Sequence, residues 1–326
     1  MSRSIHRRTF LTTAAALAGA VALPATAARA AAAPRISTAF TLPEERAYPE
    51  GIALDARTGD AYVGSYTTGA VYRAARGSRA AEVFLPSGTD GRTTANGLKA
   101  DRAGRLWVID SASGVDVYHL RSRALLARFT VPGSGPSFVN DLALGPDGTA
   151  YLTDSSRPVV YRATPADLGR ARGGGATLDA AYDLSAVAPS DGLFLNGIVV
   201  APSGRYLIAV GMTGGGLYRV RTLTGSVRQV ALEGGDLKHG DGLELAHGTL
   251  WAAHNATNTL SRWRLSPDGT SARLERQFTD TALQTPTTLA RTHGRLLVVR
   301  SQFDKGGPMG PGVPAEPFTV AWVDGI

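Results

Sequence analysis

Short runs of alternating apolar and small or polar residues recur along the chain, each followed by a glycine-containing turn and a second apolar run. In one copy, Leu142 and Leu144 alternate with small residues, Pro146-Asp147-Gly148 is typical of a turn, and 150–153 is a second apolar run. This pattern predicts a β-hairpin. Copies of the hairpin begin at six positions, namely 50, 96, 140, 196, 241 and 287.

The spacing of these copies predicts a β-propeller. The steps between them are 46, 44, 56, 45 and 46 residues. A period in the mid-forties that contains only short strands is typical of one four-stranded sheet per blade. One such sheet cannot bury both of its faces alone, so the blades must stack around an axis. We therefore predict an all-β fold, a single six-bladed β-propeller over residues 31–326.

An N-terminal strand is expected to close this ring. Residues 38–42 resemble the outermost strands of other blades, at 81–86 and 127–132, whereas the last blade ends one strand short at Ile326. If 38–42 completes the last blade, two exposed sheet edges disappear. Aromatic residues at one offset of the third strands, together with Trp107 and Trp251, are interpreted as packing between blades.

Two stretches break the repeat. The step of 56 residues after Asn140 is the long one, and its excess is expected around 171–175 and 187–192. The other stretch, 303–317, is rich in glycine and proline and lies inside the last blade. Long insertions of this kind usually lie on a face of a propeller. For both, 171–192 and 303–317, a lid and a solvated loop remain open interpretations.

The first thirty residues have the pattern of an export signal. Arg7-Arg8-Thr9-Phe10-Leu11 precedes an alanine-rich apolar stretch that runs to about Leu23, and Ala28-Arg29-Ala30 is typical of a cleavage site. This predicts a twin-arginine-type signal over 1–30, which uses the twin-arginine export machinery and is cleaved. An ordinary secretory signal with a chance arginine pair is the alternative. Either one predicts a secreted or extracytoplasmic soluble protein.

Charge and cysteine content narrow the function classes. The signal holds four arginines and no acid, so 30 of the 34 basic residues remain against 27 acidic ones, a formal charge of +3. No basic cluster is interleaved with aromatic residues, so nucleic acid is not an expected partner. No apolar run approaches the ~18 residues of a membrane span. The chain has no cysteine, which excludes disulfides, thiolate metal sites and cysteine nucleophiles.

A polar residue opens every copy of the hairpin. In a propeller, the first strand of each blade lies nearest the axis, so these six axial residues should line the central channel. They are Glu50, Asn96, Asn140, Asn196, Asp241 and Thr287. Carboxylate and amide oxygens together suit Ca²⁺, or Mg²⁺ or Mn²⁺ with more water. The alternative is that the Asn-Gly and Asp-Gly pairs are only turn residues.

His239 and His254 are close enough in sequence to reach the channel, but each is interpreted as structural.

The sequence resembles the senescence marker protein (regucalcin), gluconolactonase and luciferin-regenerating enzyme family of six-bladed propellers over its whole mature length. The motifs that carry the resemblance are Pro49-Glu50-Gly51, Val139-Asn140-Asp141, Leu195-Asn196-Gly197 and Gly240-Asp241-Gly242. The resemblance implies that Glu50, Asn140, Asn196 and Asp241 hold one divalent cation, usually calcium. It also implies hydrolysis of lactones or related esters, with Asp241 as ligand and as general base or nucleophile.

Three positions flank this set. Sugar-lactone members of the family often have an arginine where this chain has Phe138, which favours a less polar substrate. Asn96 and Asp141 are expected beside the substrate. We therefore predict a metal-dependent lactonase or esterase with a small-molecule substrate. Two alternatives stay open: phosphotriester hydrolysis or another reaction on the same metal, and a non-catalytic ligand-binding propeller with a structural calcium.

Overall fold

The computed structural model describes residue 1 and residues 33–187, 189, 192 and 194–326. Apart from Met1, the predicted export signal over 1–30 lies outside the described residues. The rest of the chain from Ala33 onwards is one compact unit. No helix among the described residues is long and apolar enough to cross a membrane.

Regular structure in the described part of the chain consists almost entirely of short strands. In chain order these are β1 (Arg35–Thr41), β2 (Pro49–Leu54), β3 (Ala61–Ser65), β4 (Val71–Ala74), β5 (Glu82–Leu85), β6 (Leu98–Ala100), β7 (Arg105–Asp110), β8 (Gly114–His119), β9 (Leu125–Thr130), β10 (Val139–Leu144), β11 (Ala150–Asp154), β12 (Val159–Ala163), β13 (Gly175–Thr177), β14 (Asp179–Asp183), β15 (Leu195–Val200), β16 (Tyr206–Gly211), β17 (Gly216–Arg221), β18 (Val227–Gln229), β19 (Ala231–Glu233), β20 (Gly240–Ala246), β21 (Thr249–His254), β22 (Thr259–Leu265), β23 (Ser271–Thr279), β24 (Pro286–Thr292), β25 (Arg295–Arg300) and β26 (Thr319–Asp324). The helical segments are the α-helix α1 (Pro165–Ala171) and 3₁₀ turns at Thr89–Gly91, Ser185–Val187 and Thr281–Leu283.

These strands form six sheets, which confirms the predicted six-bladed β-propeller. From the axis outwards, blade one is β2-β3-β4-β5, blade two β6-β7-β8-β9, blade three β10-β11-β12-β14, blade four β15-β16-β17-β18, blade five β20-β21-β22-β23 and blade six β24-β25-β26-β1. Two short strands add parallel to outer edges: β13 joins β9 of blade two, and β19 joins β23 of blade five.

The N-terminal strand closes the ring as the sequence predicts. β1 runs antiparallel to β26, with Arg35 opposite Asp324 and Thr41 opposite Thr319. The next backbone amide, that of Leu42, donates to the carbonyl of Phe318 at 2.8 Å. The first and last segments of the propeller therefore share one blade, and its outer edge is covered.

Apolar side chains from adjacent blades form the core. Each of six buried clusters lies between two neighbouring blades. Between blades two and three, Trp107 stacks on Phe129 with ring centroids 6.2 Å apart, and both are buried with Leu152 and Tyr161. Trp251 lies in the cluster between blades five and six. The aromatic residues thus have the inter-blade packing role expected of them.

The first strands form the inner wall. Each of β2, β6, β10, β15, β20 and β24 lies against the next, and β24 lies against β2. The axial residues lie at the starts of these strands, with Asn96 two residues before β6. This is the face where fourth strands lead into first strands and second strands turn into third strands. We call this the ring face.

The long step after Asn140 differs from the prediction. Its excess includes α1, which joins the third and fourth strands of blade three and so lies on the face opposite the ring face. The region 171–192 is therefore not one insertion, because it contains β13 and the blade strand β14. Thr164 and Asp167 form a capping box at the start of α1, with a proline in its first turn; these signals stabilise so short a helix.

The segment 303–317 lies on the ring face, because it joins the second and third strands of blade six. It packs against blade one: the Tyr48 hydroxyl donates to the carbonyl of Lys305 at 2.8 Å, and the rings of Tyr66 and Phe303 are 5.3 Å apart.

Candidate metal centre

The six axial residues come together at the ring face, each no more than 7% exposed. In blades one, three, four, five and six, the register between first and second strands shifts at the axial residue. Such a bulge releases two residues from the ladder and redirects their side chains. A small cavity, which we call the ring cavity, opens beside three of them, Glu50, Asn196 and Asp241, and its lining also includes Asp141 and Lys99.

The glycine that follows an axial residue lets neighbouring blades approach closely. A Cβ atom on Gly51 would lie 2.1 Å from the carbonyl oxygen of Asn96, and one on Gly197 would lie 2.2 Å from that of Asp241. Neither glycine has a positive φ, and both lie in strands. The pairs Asn196-Gly197 and Asp241-Gly242 therefore lie in strands and not in turns, whereas Asn96-Gly97 precedes β6. Gly51, Gly197 and Gly242 are inner-strand positions at which only glycine leaves room for the next blade.

Two carboxylates dominate the electrostatics of the ring cavity. Burial, together with the neighbouring carboxylates of Asp241 and Asp141, raises the pKa of Glu50 well above its usual value. Burial raises the pKa of Asp241 to about 8, although hydrogen bonds from Asn255 and Asn196 oppose the rise. Buried carboxylates that face one another are costly unless a positive charge compensates them. The arrangement favours a cation between them.

Asn140 provides an unused acceptor in the same axial ring. Its Nδ2 donates to Ser155 Oγ at 2.9 Å, and Ser155 donates in turn to the carbonyl of Leu195 at 2.6 Å. This fixes the amide, yet its Oδ1 is buried with no hydrogen-bond partner. A buried carbonyl oxygen without a donor is expensive and suits a metal ligand.

These residues fit a hard divalent cation. The fit rests on two buried carboxylates, the free Oδ1 of Asn140 and the amide of Asn196, whose Nδ2 lies 3.6 Å from Met212 Sδ. In the described part of the chain, no group of three or more His, Asp or Glu side chains is placed to hold a metal ion. The predicted set is of a different kind, because amide oxygens supply half of its ligands.

The flanking residues occupy three different environments. Asn96 is 1% exposed and its Oδ1 has no partner, so it is a second free acceptor in the ring. Asp141 lines the ring cavity, but its carboxylate accepts the backbone amides of Leu142 at 2.8 Å and Ile198 at 3.3 Å. It therefore also ties blade three to blade four. Phe138 is half-buried on the ring face, two residues before Asn140.

Thr287 has a structural role in the ring. Its hydroxyl donates to the carbonyl of Glu50 at 2.8 Å and so links the last blade to the first. His254 is also structural, because Nδ1 lies 2.8 Å from the carbonyl of Lys238 and Nε2 lies 2.7 Å from Ser261 Oγ. His239 is exposed on the ring face, with a φ of 58°.

Sequence reasoning missed a second ring of side chains directly above the axial one. Its members follow the second strand of each blade at one register: Tyr66, Ser111, Ser155, Met212, Asn255 and Ser301. Asn255 Nδ2 donates to Asp241 Oδ2 at 2.7 Å and holds that carboxylate in place. The sequence does mark these positions, because each is the residue that follows a second strand. Their chemical type, however, varies from blade to blade, so no repeated residue drew attention to them.

Lys99 was also missed. It lies in β6, three residues after Asn96, and lines the ring cavity with three carboxylates. Its positive charge opposes the rise in pKa of both Glu50 and Asp141. The other blades have no lysine at this register, so the repeat pattern did not single it out.

Comparison with known structures supports the fold. No protein-family model matches the chain, and no curated protein matches it. Similar solved structures include a gluconolactonase from Xanthomonas campestris, with 17% identity over 89% of each chain and a TM-score of 0.62. Virginiamycin B lyase from Staphylococcus aureus has 12% identity over 90% of this chain and 100% of its own, with a TM-score of 0.59.

A third similar structure is the allergen Mala s 1 of Malassezia sympodialis, with 16% identity over 87% of this chain and 95% of its own and a TM-score of 0.61. The chain is thus a six-bladed β-propeller with a polar axial ring. Its resemblance to the gluconolactonase-type propellers is confirmed at the level of the fold. Identities of this size carry no more than the fold, so activity is a separate question.

Proposed function

We propose that the chain is an exported hydrolase of lactones or related esters that works with one divalent cation, Ca²⁺ first and Mg²⁺ or Mn²⁺ as substitutes. The ligands of this ion are Glu50, Asn140, Asn196 and Asp241. One observation carries the proposal: two buried, mutually repelling carboxylates lie beside a fixed amide whose oxygen has no partner. The export step rests on the sequence pattern of residues 1–30.

When bound, the cation would polarise a substrate carbonyl and stabilise the charge that develops on its oxygen. Asp241 is the base in this proposal. Asn255 holds one of its oxygens at 2.7 Å, so the carboxylate keeps a fixed direction and has lone pairs left to take a proton from water. That proton can later pass to the leaving alkoxide.

The surroundings of the ring suit a substrate with an apolar part. Phe138 is half-buried on the ring face, and Tyr66 packs on Phe303. Burial, and after it the nearby Glu50 carboxylate, raises the pKa of Tyr66. Asn96, with its free Oδ1, can accept a hydrogen bond from a substrate hydroxyl or a bound water. Asp141 contributes negative charge at the cavity wall.

The first test is the metal content of the purified chain by elemental analysis. We expect about one equivalent of Ca²⁺ in the parent chain and little in Asn196→Ala. Asn96→Ala is the matched control, because Asn96 is an axial amide outside the ligand set, and it should keep the ion. A parent that takes up none of Ca²⁺, Mg²⁺ and Mn²⁺ would overturn the metal site.

The second test is hydrolysis of a panel of lactones and esters, with and without chelator. Turnover should stop with chelator and fall by about 100-fold or more in Asp241→Asn, while circular dichroism shows a folded chain. A bound ion whose removal lowers only the melting temperature, with no substrate hydrolysed, would instead support a non-catalytic propeller with a structural calcium. Turnover of phosphotriesters alone would support the other alternative.

A further inference from the structure

Lys99 is placed differently from every other lysine in the described chain. Lys238 and Lys305 lie in connections on the ring face, whereas Lys99 projects from the inner strand β6 into the wall of the ring cavity. It is half-buried. Its place among the carboxylates of the cavity wall calls for an electrostatic reason.

That reason is the charge of the ring cavity. Its lining includes three carboxylates, those of Glu50, Asp141 and Asp241, and one ammonium. Among the described residues Lys99 has no ion pair within 4.0 Å. It therefore acts on Glu50 and Asp141 across the cavity and does not neutralise either of them by contact.

A fourth acid nearby does not change this charge count. Glu244 lies three residues after Asp241 and outside the ring cavity lining. Lys99, the backbone amide of Arg291 and the Arg291 guanidinium all favour its ionised form, so Glu244 and Arg291 enter the charge count as an opposite pair. With its acids ionised, the ring cavity itself thus carries three negative charges and one positive charge.

We propose that Lys99 is a built-in cation of the axial ring, which leaves two negative charges uncompensated and so makes the site prefer a divalent ion to a trivalent one. This inference rests on the proposed function, in which the ring holds one divalent cation. With one such ion bound, the charges of Glu50, Asp141, Asp241 and Lys99 sum with it to zero. Lys99 is a positioning residue in this proposal and touches no substrate.

Lys99→Met is the decisive variant, because methionine has a similar length and no charge. Repulsion between Lys99 and a bound ion scales with the charge of that ion, whatever the distance between them. When this repulsion is removed, the logarithm of the binding constant should rise about 1.5 times as much for a trivalent ion as for a divalent one. If Ca²⁺ binds about tenfold more tightly, Tb³⁺ should bind about thirtyfold more tightly.

The experiment measures Ca²⁺ and Tb³⁺ binding to the full mature chain. Calorimetry gives the Ca²⁺ affinity, and luminescence of Tb³⁺ sensitised by Tyr66, which interacts with Glu50, gives the Tb³⁺ affinity. Lys99→Arg keeps the charge and should keep the parent's ratio of the two affinities. Arg121→Met removes an exposed positive charge on the opposite face and should change neither affinity.

A second neutral variant, Lys99→Gln, guards against a folding defect of the methionine variant and should show the same change in ratio. If the affinities for the two ions rise by the same factor, or if neither neutral variant gains affinity, the proposed role of Lys99 is wrong. The metal site itself would not be affected by that result. Binding of Ca²⁺ by Lys99→Met alone would overturn the proposed function of the native chain but support Lys99 as the cation of the ring. A ring that binds neither ion in parent or variants would overturn both proposals.

Discussion

The acidic residues of the channel differ in which groups compensate their negative charge. Glu244, which does not line the ring cavity, shows the effect of burial on such a residue. Burial raises the pKa of Glu244 to about 7, although Lys99 and Arg291 oppose the rise. The same side chain in an unfolded chain releases its proton near the ordinary value of 4.5. The folded chain therefore holds more protons between these two values.

We expect Glu244→Gln to remove part of the pH dependence of stability. Because the folded parent binds more protons than the unfolded chain between about pH 4.5 and pH 7, its free energy of unfolding should fall as the pH rises through this window. Glu244 is half-buried, so the extra loss in the parent should be about 1–2 kcal/mol between pH 4.5 and pH 8. Urea unfolding of both proteins in chelator measures it. Identical pH dependence in the two would show that Glu244 titrates normally when folded.

The site residues that could be predicted from the sequence are those that recur at one position of the repeat. Glu50, Asn140, Asn196 and Asp241 share one register, so their meeting at the axis followed from the fold. Lys99 and Asn255 did not stand out, because each role belongs to one blade and depends on which side chains face it across the channel. The metal-binding and catalytic roles of Glu50, Asn140, Asn196 and Asp241 stay predictions.

At the scale of strands, close approach of the first strands decides which residue can follow an axial one. Gly197 shows this most directly, because a Cβ atom there would also lie 2.7 Å from the backbone nitrogen of Leu243.

The strands of the blades were predictable, since the turn residues and apolar runs recur in each copy. α1 was not, because seven residues carry too little apolar periodicity. β13 and β19 were not, because each pairs with a strand of another blade.

We expect Gly197→Ala to destabilise the chain by about 3 kcal/mol or more, since backbone atoms on both sides of the new methyl group would have to move. Gly169→Ala is the matched control: Gly169 is exposed in α1, and an added methyl group there would have no atom within 4 Å. That change should stabilise by about 0.5–1 kcal/mol, because alanine favours a helix. Chemical unfolding of both variants gives the comparison. A harmless Gly197→Ala would mean that the inner strands can separate.

The whole molecule is held in a ring by its first strand. β1 supplies the outer strand of blade six, and its Ala39 and Phe40 are buried with Phe318 and Val320 of that blade. The backbone of Thr41 also donates to Arg79 of blade one at 3.0 Å. β1 therefore joins blade six to blade one, and its loss would expose the sheet edge of β26 and break the link to blade one.

Deletion of residues 33–45 should abolish cooperative unfolding of the propeller. Ser37→Ala is a suitable control, because Ser37 is exposed in the same strand and should change stability by less than about 0.5 kcal/mol. Thermal melts followed by circular dichroism measure both, and a synthetic peptide of residues 33–45 should restore part of the transition. A sharp melt at the parent temperature in the deleted chain would refute closure by β1.

The pairs Glu50-Gly51, Asn196-Gly197 and Asp241-Gly242 each divide reactivity and packing between two adjacent residues. The side chain of the first residue faces the cavity, as Asn196 does, while the second, as Gly197, carries the contact with the next blade. A substitution at the first residue can therefore alter reactivity at little structural cost, whereas one at the second cannot. Such a scaffold is evolvable, since changes of one codon each at Glu50, Asn196 and Asp241 are enough to redefine the ligand set without any blade being rebuilt.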